Sequence, residues 1–281
     1  MRTIAFLNKK GGVGKTSTCH HLSGTLARKG LRILLVDADP QASLTQGLLG
    51  PEVARMLKPR ETIAGLFDES CEVEMEGLVR PVNIPGVSLV AGSGRMDKFN
   101  ELEPWTTGDS QYILRDALAE VADGFDLALI DCPPHIYLCA WSAMVAAHGI
   151  VVPLQAEDYG AQGVAAIQGS IDHVRAGANP RLKVLGFLLT MFNKSLAVHT
   201  GYAEDLRAIY GDAVFETNVP LAKDFKEAVM LRKPVVEYKP RSAAAKAIEA
   251  LADELLSRLD ARVAPRAVEG SGGDDESRRV A

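Results

Sequence analysis

Short runs that are apolar at nearly every position recur along the chain, at residues 3–8, 32–38, 87–91, 127–131, 150–154, 184–191 and 213–219. Runs without polar alternation suit strands covered on both faces, as in a parallel sheet. Between them lie segments with helical spacing, such as Leu22 and Leu26 with Ala27, and Ile248, Leu251 and Leu255 with Leu259. The alternation predicts a doubly wound α/β domain, a mostly parallel sheet with helices on both faces. Residues 51–86 carry few strand signals and predict short helices around 63–67, an elaboration of the core and not a second domain. Beyond Leu259 the chain turns polar and glycine-rich, with Gly270-Ser271-Gly272-Gly273 followed by Asp274-Asp275-Glu276. One domain over 1–260 and a disordered polar tail over 261–281 are therefore expected.

Composition narrows the classes. With 281 residues, 47% hydrophobic and 24% charged, the chain can bury a large core. The longest apolar candidate for a membrane span, 139–154, is interrupted by His148, Gly149 and Pro153 and falls short of the roughly 18 residues required. Residues 3–7 are too few for a signal peptide, so a cytoplasmic location is expected. Cys19, Cys71, Cys132 and Cys139 show no CxxC spacing and read as buried thiols. The six histidines make no HxxxH or HExxH pair, so no metal site of His and Cys ligands is expected. A net charge of −5 argues against a wholly basic nucleic-acid coat and leaves room for a local basic patch.

The chemistry concentrates after the first strand, which runs into Lys9-Lys10-Gly11-Gly12-Val13-Gly14-Lys15-Thr16-Ser17 and then a helix. Glycines let backbone N–H groups turn inward around an anion, and a helix start adds unpaired N–H groups and its positive dipole end. Such a loop holds polyphosphate, with Lys15 reaching the β and γ phosphates and the Thr16 hydroxyl on Mg²⁺. The usual GxxxxGK[ST] pattern has glycine where this chain has Lys9, with a second lysine at Lys10. The second strand ends in Asp37-Ala38-Asp39-Pro40, two carboxylates on the same side of an extended segment at a strand's carboxyl end. Residues 127–130 are apolar and close on Asp131-Cys132-Pro133-Pro134.

Lys10-Gly11-Gly12-Val13-Gly14-Lys15-Thr16 resembles the deviant Walker A loop of the ParA/MinD family of P-loop ATPases, and the two aspartate segments resemble its first switch and its Walker B strand. The resemblance covers roughly residues 1–259. It implies an ATPase switch that closes as a homodimer on ATP and Mg²⁺ and segregates plasmids, chromosomes or other cargo, with a ParB-like or cargo-adaptor partner. It assigns Lys10 to the partner's nucleotide across the dimer and Asp39 to the attacking water. Asp37 and Asp131 fall in the Mg²⁺ environment, Asp131 through water. By the same resemblance, residues 152–159 with Gly163 contribute to the dimer face, and residues 188–193 and 217–220 form the adenine pocket, with contacts from Asn193 and backbone near Pro220.

Within the family, the membrane-binding MinD branch ends in a basic amphipathic helix, whereas residues 271–281 are largely acidic and lack an apolar face, so no membrane partner is expected. The DNA-binding ParA branch holds DNA nonspecifically through surface cations. Here Lys223, Lys226, Arg232 and Lys233 are the candidates, which would make the protein nucleoid-associated. Leu221 and Asp224 stand where many ParA chains carry arginine, and Asp224, Glu227 and Glu237 are interspersed, so a mixed solvated face remains open. Two other classes stay in view. A reductase like the nitrogenase iron protein would need paired cluster cysteines, and Ala91-Gly92-Ser93-Gly94 has none. A regulatory ATPase that does not bind DNA would keep the same loop.

Overall fold

A computed structural model describes residues 1–156 and 160–261. Its sheet has seven strands, β1 (Arg2–Phe6), β2 (Ile33–Asp37), β3 (Val79–Pro81), β4 (Val87–Val90), β5 (Leu127–Asp131), β6 (Gly149–Gln155) and β7 (Lys183–Thr190), in the order β3-β4-β2-β5-β1-β6-β7. All neighbouring pairs are parallel except β3–β4, which is antiparallel. The helices are α1 (Lys15–Arg28), α2 (Ser43–Leu49), α3 (Pro51–Met56), α4 (Ala64–Phe67), α5 (Met75–Leu78), α6 (Ile113–Glu120), α7 (Leu138–Ala146), α8 (Gly160–Ala176), α9 (Ala197–Tyr210), α10 (Lys223–Met230), α11 (Val235–Tyr238) and α12 (Ala243–Ala261).

Two cores form because both faces of the sheet are covered. Ala5, Leu34, Val36, Ala128 and Ile130 pack under α6 to α9, while Ile4, Phe6, Ile33, Leu35 and Leu129 pack under α1, α2 and α10 to α12. This is why the strands read as unbroken apolar runs: alternate residues go to opposite faces, and neither face meets water. Leu22, Leu26, Ile248, Leu251 and Leu255 are all buried on the helices where their spacing placed them.

Two expectations are corrected. Residues 213–219 form no strand and meet the edge of β7 through a bridge between Phe187 and Val214 and through the N–H groups of Phe215 and Val219, which donate to the carbonyls of Phe187 (2.9 Å) and Leu189 (2.8 Å). The Glu254 carboxylate accepts the N–H groups of Glu216 and Thr217, both at 2.9 Å, so those donors are withdrawn from a ladder. Conversely, β3 lies in the segment that showed few strand signals. Its Pro81 lacks a donor, which is tolerated on an edge strand. The expected dimer-face residues 157–159 and the expected tail from residue 262 onward lie outside the described residues.

The helix that follows the glycine loop is also tied to the chain's last third. Val235 N donates to His21 Nδ1 at 3.1 Å, and His20 Nε2 lies 3.1 Å from the Lys233 carbonyl. Burial holds both imidazoles below their ordinary pKa.

Candidate active site

The parallel strands bring their carboxyl ends to one edge, and the predicted chemistry collects there. Gly14 precedes α1 with φ of +81°, a left-handed conformation in which a side chain is strained, and Gly12 has φ of +76°. The loop is tied down from behind: Lys10 N donates to Asn8 Oδ1 at 2.9 Å, and the Thr190 hydroxyl donates to the Val13 carbonyl at 2.8 Å. Lys15 is buried, and its Nζ donates to the carbonyls of Asn8 (3.2 Å) and Lys10 (3.1 Å). Both acceptors are neutral carbonyls, and the Lys15 charge also acts on nearby Asp131. Lys10 itself is exposed on the loop, beside exposed Gly11 and Gly12.

The register places Asp37 directly beside Asp131, as the last residues of β2 and β5. Both are fully buried, and their environments differ. Asp37 Oδ2 accepts from Thr45 N (2.8 Å) and Thr45 Oγ1 (2.7 Å), and Thr45 Oγ1 in turn accepts from Gly92 N (2.8 Å). Gly92 permits this approach, because a Cβ there would stand 2.7 Å from Asp37 Cγ. Burial raises the Asp37 pKa to about 7, against the opposing Thr45 hydrogen bonds. Among the described residues, neither carboxylate oxygen of Asp131 has a hydrogen-bond partner. Burial, then the charge of Asp37, pushes its pKa well above the carboxylate range, while nearby Thr16 and Lys15 oppose the rise. A carboxylate this deep without a donor needs a cation or ordered water. With the Thr16 hydroxyl beside it, the oxygen-rich donor set fits Mg²⁺ held through its water shell. Asp39 is half-buried; its Oδ1 accepts from Gln41 N at 2.9 Å, a turn contact within its own segment.

Beside the first turn of α1 lies a cleft of about 140 Å³, lined by Gly14, Ser17, Met191, Pro220, Phe225 and Lys226, among others. Pro220 is thus where an adenine contact was expected. Asn193 is not among the lining residues: its Oδ1 accepts from Ser195 N at 3.0 Å, shaping the turn before α9. Met191, held at φ of +51°, lies in the expected 188–193 segment and lines the cleft, whereas Phe225 lines it and was not foreseen, since nothing in its local sequence sets it apart from core residues. Lys226, expected on a DNA face, lies at this cleft.

The remaining basic candidates are exposed and partly compensated. Lys223 pairs with Glu227 at 3.6 Å, and neighbouring Lys239 pairs with Asp224 and Glu227, both at 2.7 Å. The Arg232 guanidinium lies over Gly50, and Lys233 precedes the buried Pro234. Cys19, Cys132 and Cys139 are buried, and burial holds each thiol protonated, which disfavours a thiolate-held cluster. No helix among the described residues is long and apolar enough to cross a membrane.

A glycine loop between β1 and α1, a buried lysine over it and paired strand-end aspartates together define a P-loop ATPase. The protein-family description that matches, over residues 1–184, is "AAA domain". The chain is 38% identical to the chromosome-partitioning ATPase Soj of Thermus thermophilus, over 92% of this chain and 97% of that protein. It is 34% identical to the chromosome partitioning protein ParA of Caulobacter vibrioides, over 92% and 95%. Among solved structures, the cobyrinic acid a,c-diamide synthase of Mycobacterium smegmatis with bound ADP and magnesium matches with a TM-score of 0.76 at 28% identity, covering 93% and 96% of the two chains. The chain belongs to the ParA/Soj family of deviant Walker A P-loop ATPases.

Proposed function

We propose that this ParA-type ATPase is a dimerising switch that binds ATP with Mg²⁺ at residues 10–17 and positions a chromosome, plasmid or other cargo through nonspecific DNA binding. The observation that carries the reading is a buried Lys15 ammonium near an Asp131 carboxylate whose two oxygens have no hydrogen-bond partner among the described residues. Lys15 and the backbone N–H groups of Gly11, Gly12, Val13, Gly14, Thr16 and Ser17 hold the phosphates. Thr16 and Asp131, with Asp37 behind them, would hold Mg²⁺, which would supply charge neutralisation to the phosphates. Asp39 orients a water whose oxygen bonds the γ-phosphorus as the bond to the bridging oxygen breaks, giving ADP and phosphate. Phosphate repulsion opposes closure of two copies, and Lys10, exposed on the loop, offsets it across the interface. Hydrolysis is slow until a ParB-like or adaptor partner stimulates it. Residues 1–260 act as one domain in this scheme.

Light scattering tests the switch. The parent is expected to be monomeric without nucleotide and dimeric with ATP and Mg²⁺, Lys15→Ala monomeric throughout, and Lys10→Ala impaired in dimerisation while still binding ATP. A parent that stays monomeric in ATP rejects the dimer reading, and unchanged ATP affinity in Lys15→Ala rejects the site.

A further inference from the structure

Beside the phosphate loop lies a cleft of about 420 Å³, with Lys9, Trp105, His135, Tyr137, Trp141 and His173 in its lining. It is separate from the nucleotide site described above: none of residues 10–17 lines it, and neither do Asp37, Asp39 and Asp131. Its walls come from the loop after β1, the turn Pro104–Thr106, the segment between β5 and α7, α7 itself and α8. Lys9 is also the position at which the loop departs from the glycine pattern, and the ATP reading gives it no task. We propose that this cleft is a second ligand site, which takes a small aromatic monocarboxylate with its ring against Trp105 and His173 and its carboxylate on Lys9.

The rings are set before any ligand arrives. Trp105 lies 4.7 Å from His173 and 5.5 Å from Trp141, centroid to centroid, and His173 stands edge-on to Trp141 at 5.1 Å. Those separations are the ordinary ones for packed aromatic pairs. Trp141 is buried, and its Nε1 donates to Gln111 Oε1 at 3.1 Å, so it serves as a fixed back wall. Trp105 in contrast keeps 43% of its surface exposed, and Leu102, which lines the same cleft, keeps 67%. Apolar surface of that extent gains from being covered, and a flat ring covers it at little conformational cost.

Charge selects the other end of the ligand. Lys9 is exposed and is the single lysine or arginine among the described lining residues, which include no Asp or Glu. A cation is repelled there, although aromatic faces alone would attract one. A polyphosphate carries more charge than one ammonium offsets, whereas a single carboxylate matches it. Volume limits the rest: a cleft of this size holds one or two rings, and neither a duplex nor a helix enters it. A bound ligand therefore joins Lys9, directly before the phosphate loop, to His135 and Tyr137, which follow Asp131 closely in sequence.

Trp105 and Trp141 are the chain's two tryptophans, so intrinsic tryptophan emission reads this cleft. Titrating phenylacetate into the nucleotide-free protein should change that emission to saturation, with a dissociation constant on the order of 0.1–1 mM for a ligand of this size. Because no nucleotide is present, the result does not depend on whether residues 10–17 bind ATP. Phenylacetamide, which keeps the ring and lacks the charge, should bind about tenfold more weakly, and Lys9→Gln should lower phenylacetate affinity by a similar factor. Trp105→Ala should lose binding in ligand-observed NMR, with the melting temperature reporting retained folding; His173→Ala is an independent second variant. A tripeptide ending in phenylalanine, with its carboxyl terminus free or amidated, tells the source of the ligand. Tighter binding of the free-carboxyl peptide than of phenylacetate supports a peptide end in the site, and the reverse supports a free acid. The absence of a saturable emission change up to roughly ten times the expected range overturns the proposal. Equal affinity for phenylacetate and phenylacetamide in the parent overturns it as well, as does unchanged phenylacetate affinity in both Lys9→Gln and Trp105→Ala.

Discussion

On the phosphate side of the candidate active site, the polar groups stand at the ends of hydrogen-bonded strands or on the first turn of α1: Asp37 on β2, Asp131 on β5, Thr190 on β7 and Lys15 on α1. On the base side the cleft is made by Met191 just past β7, by Pro220, which bridges to Phe192 beyond the end of that strand, and by Phe225 on the short α10. The first half has its geometry fixed by sheet register, so its residues cannot shift singly. The second is assembled from segments meeting across the fold, and its contacts are apolar. Chemistry that must be placed to within an ångström sits on the ladder, whereas shape-filling contact is left to loops.

The sharpest way to break that comparison is Asp131→Asn. Mg²⁺ is expected to tighten ATP binding to the parent, and the variant should lose most of that tightening in calorimetry with and without the ion. Stability should move the other way. Burial raises both carboxylates, Asp37 to about 7, so the folded chain binds more protons than the unfolded one. Stability without ligand therefore falls as pH rises from the ordinary carboxylate range, near about 4, through about 7. His20 and His21, held below their ordinary pKa by burial, act in the opposite sense below about 6.5. The carboxylate contribution is therefore read by comparison: between pH 6 and pH 8 the ligand-free parent should lose more melting temperature, or gain less, than Asp131→Asn or the parent with ATP and Mg²⁺. Identical pH profiles in parent and variant contradict the electrostatic account.

A smaller effect is expected one step behind the site. Thr45→Ala removes a hydroxyl that both donates to Asp37 and accepts from Gly92 N, leaving a buried N–H without its acceptor. A loss of about 2 kcal/mol follows, a fall of roughly 4–8 °C for a chain of this size, read by thermal denaturation. The smallest effect belongs to the base side. Asn193→Ala should leave ATP affinity within about twofold, because Asn193 shapes a turn and does not line the cleft. A tenfold loss in calorimetry would return Asn193 to the adenine site.

The same division explains what sequence reading reached. Six of the seven strands, the glycine loop and the paired aspartates are contiguous patterns with a local physical cause, and the structure places them as expected. The departures arise from partners distant in sequence. Residues 213–219 look like a strand until Glu254 takes two of their N–H groups, and β3 depends on β4 to become a strand at all. Asp37 and Asp131 look equivalent in sequence. Only the approach of Thr45 under Gly92 separates a satisfied carboxylate from an unsatisfied one.

The His20–His21 pair supplies a spectroscopic handle on all of this. A carbonyl can only accept, so the bond to Lys233 O fixes the proton of a neutral His20 on Nε2; Nδ1 of His21 accepts from Val235 N, which fixes its proton on Nε2 as well. Two tautomers on the glycine-loop helix are thereby set by backbone more than two hundred residues away in sequence. Their ring-nitrogen resonances would change together if nucleotide binding pulled α1 away from residues 233–235, and each would stay still if the two moved as one body. An isotope-labelled imidazole thus reads mechanical coupling between loop and basic segment directly, with no added dye and no substitution.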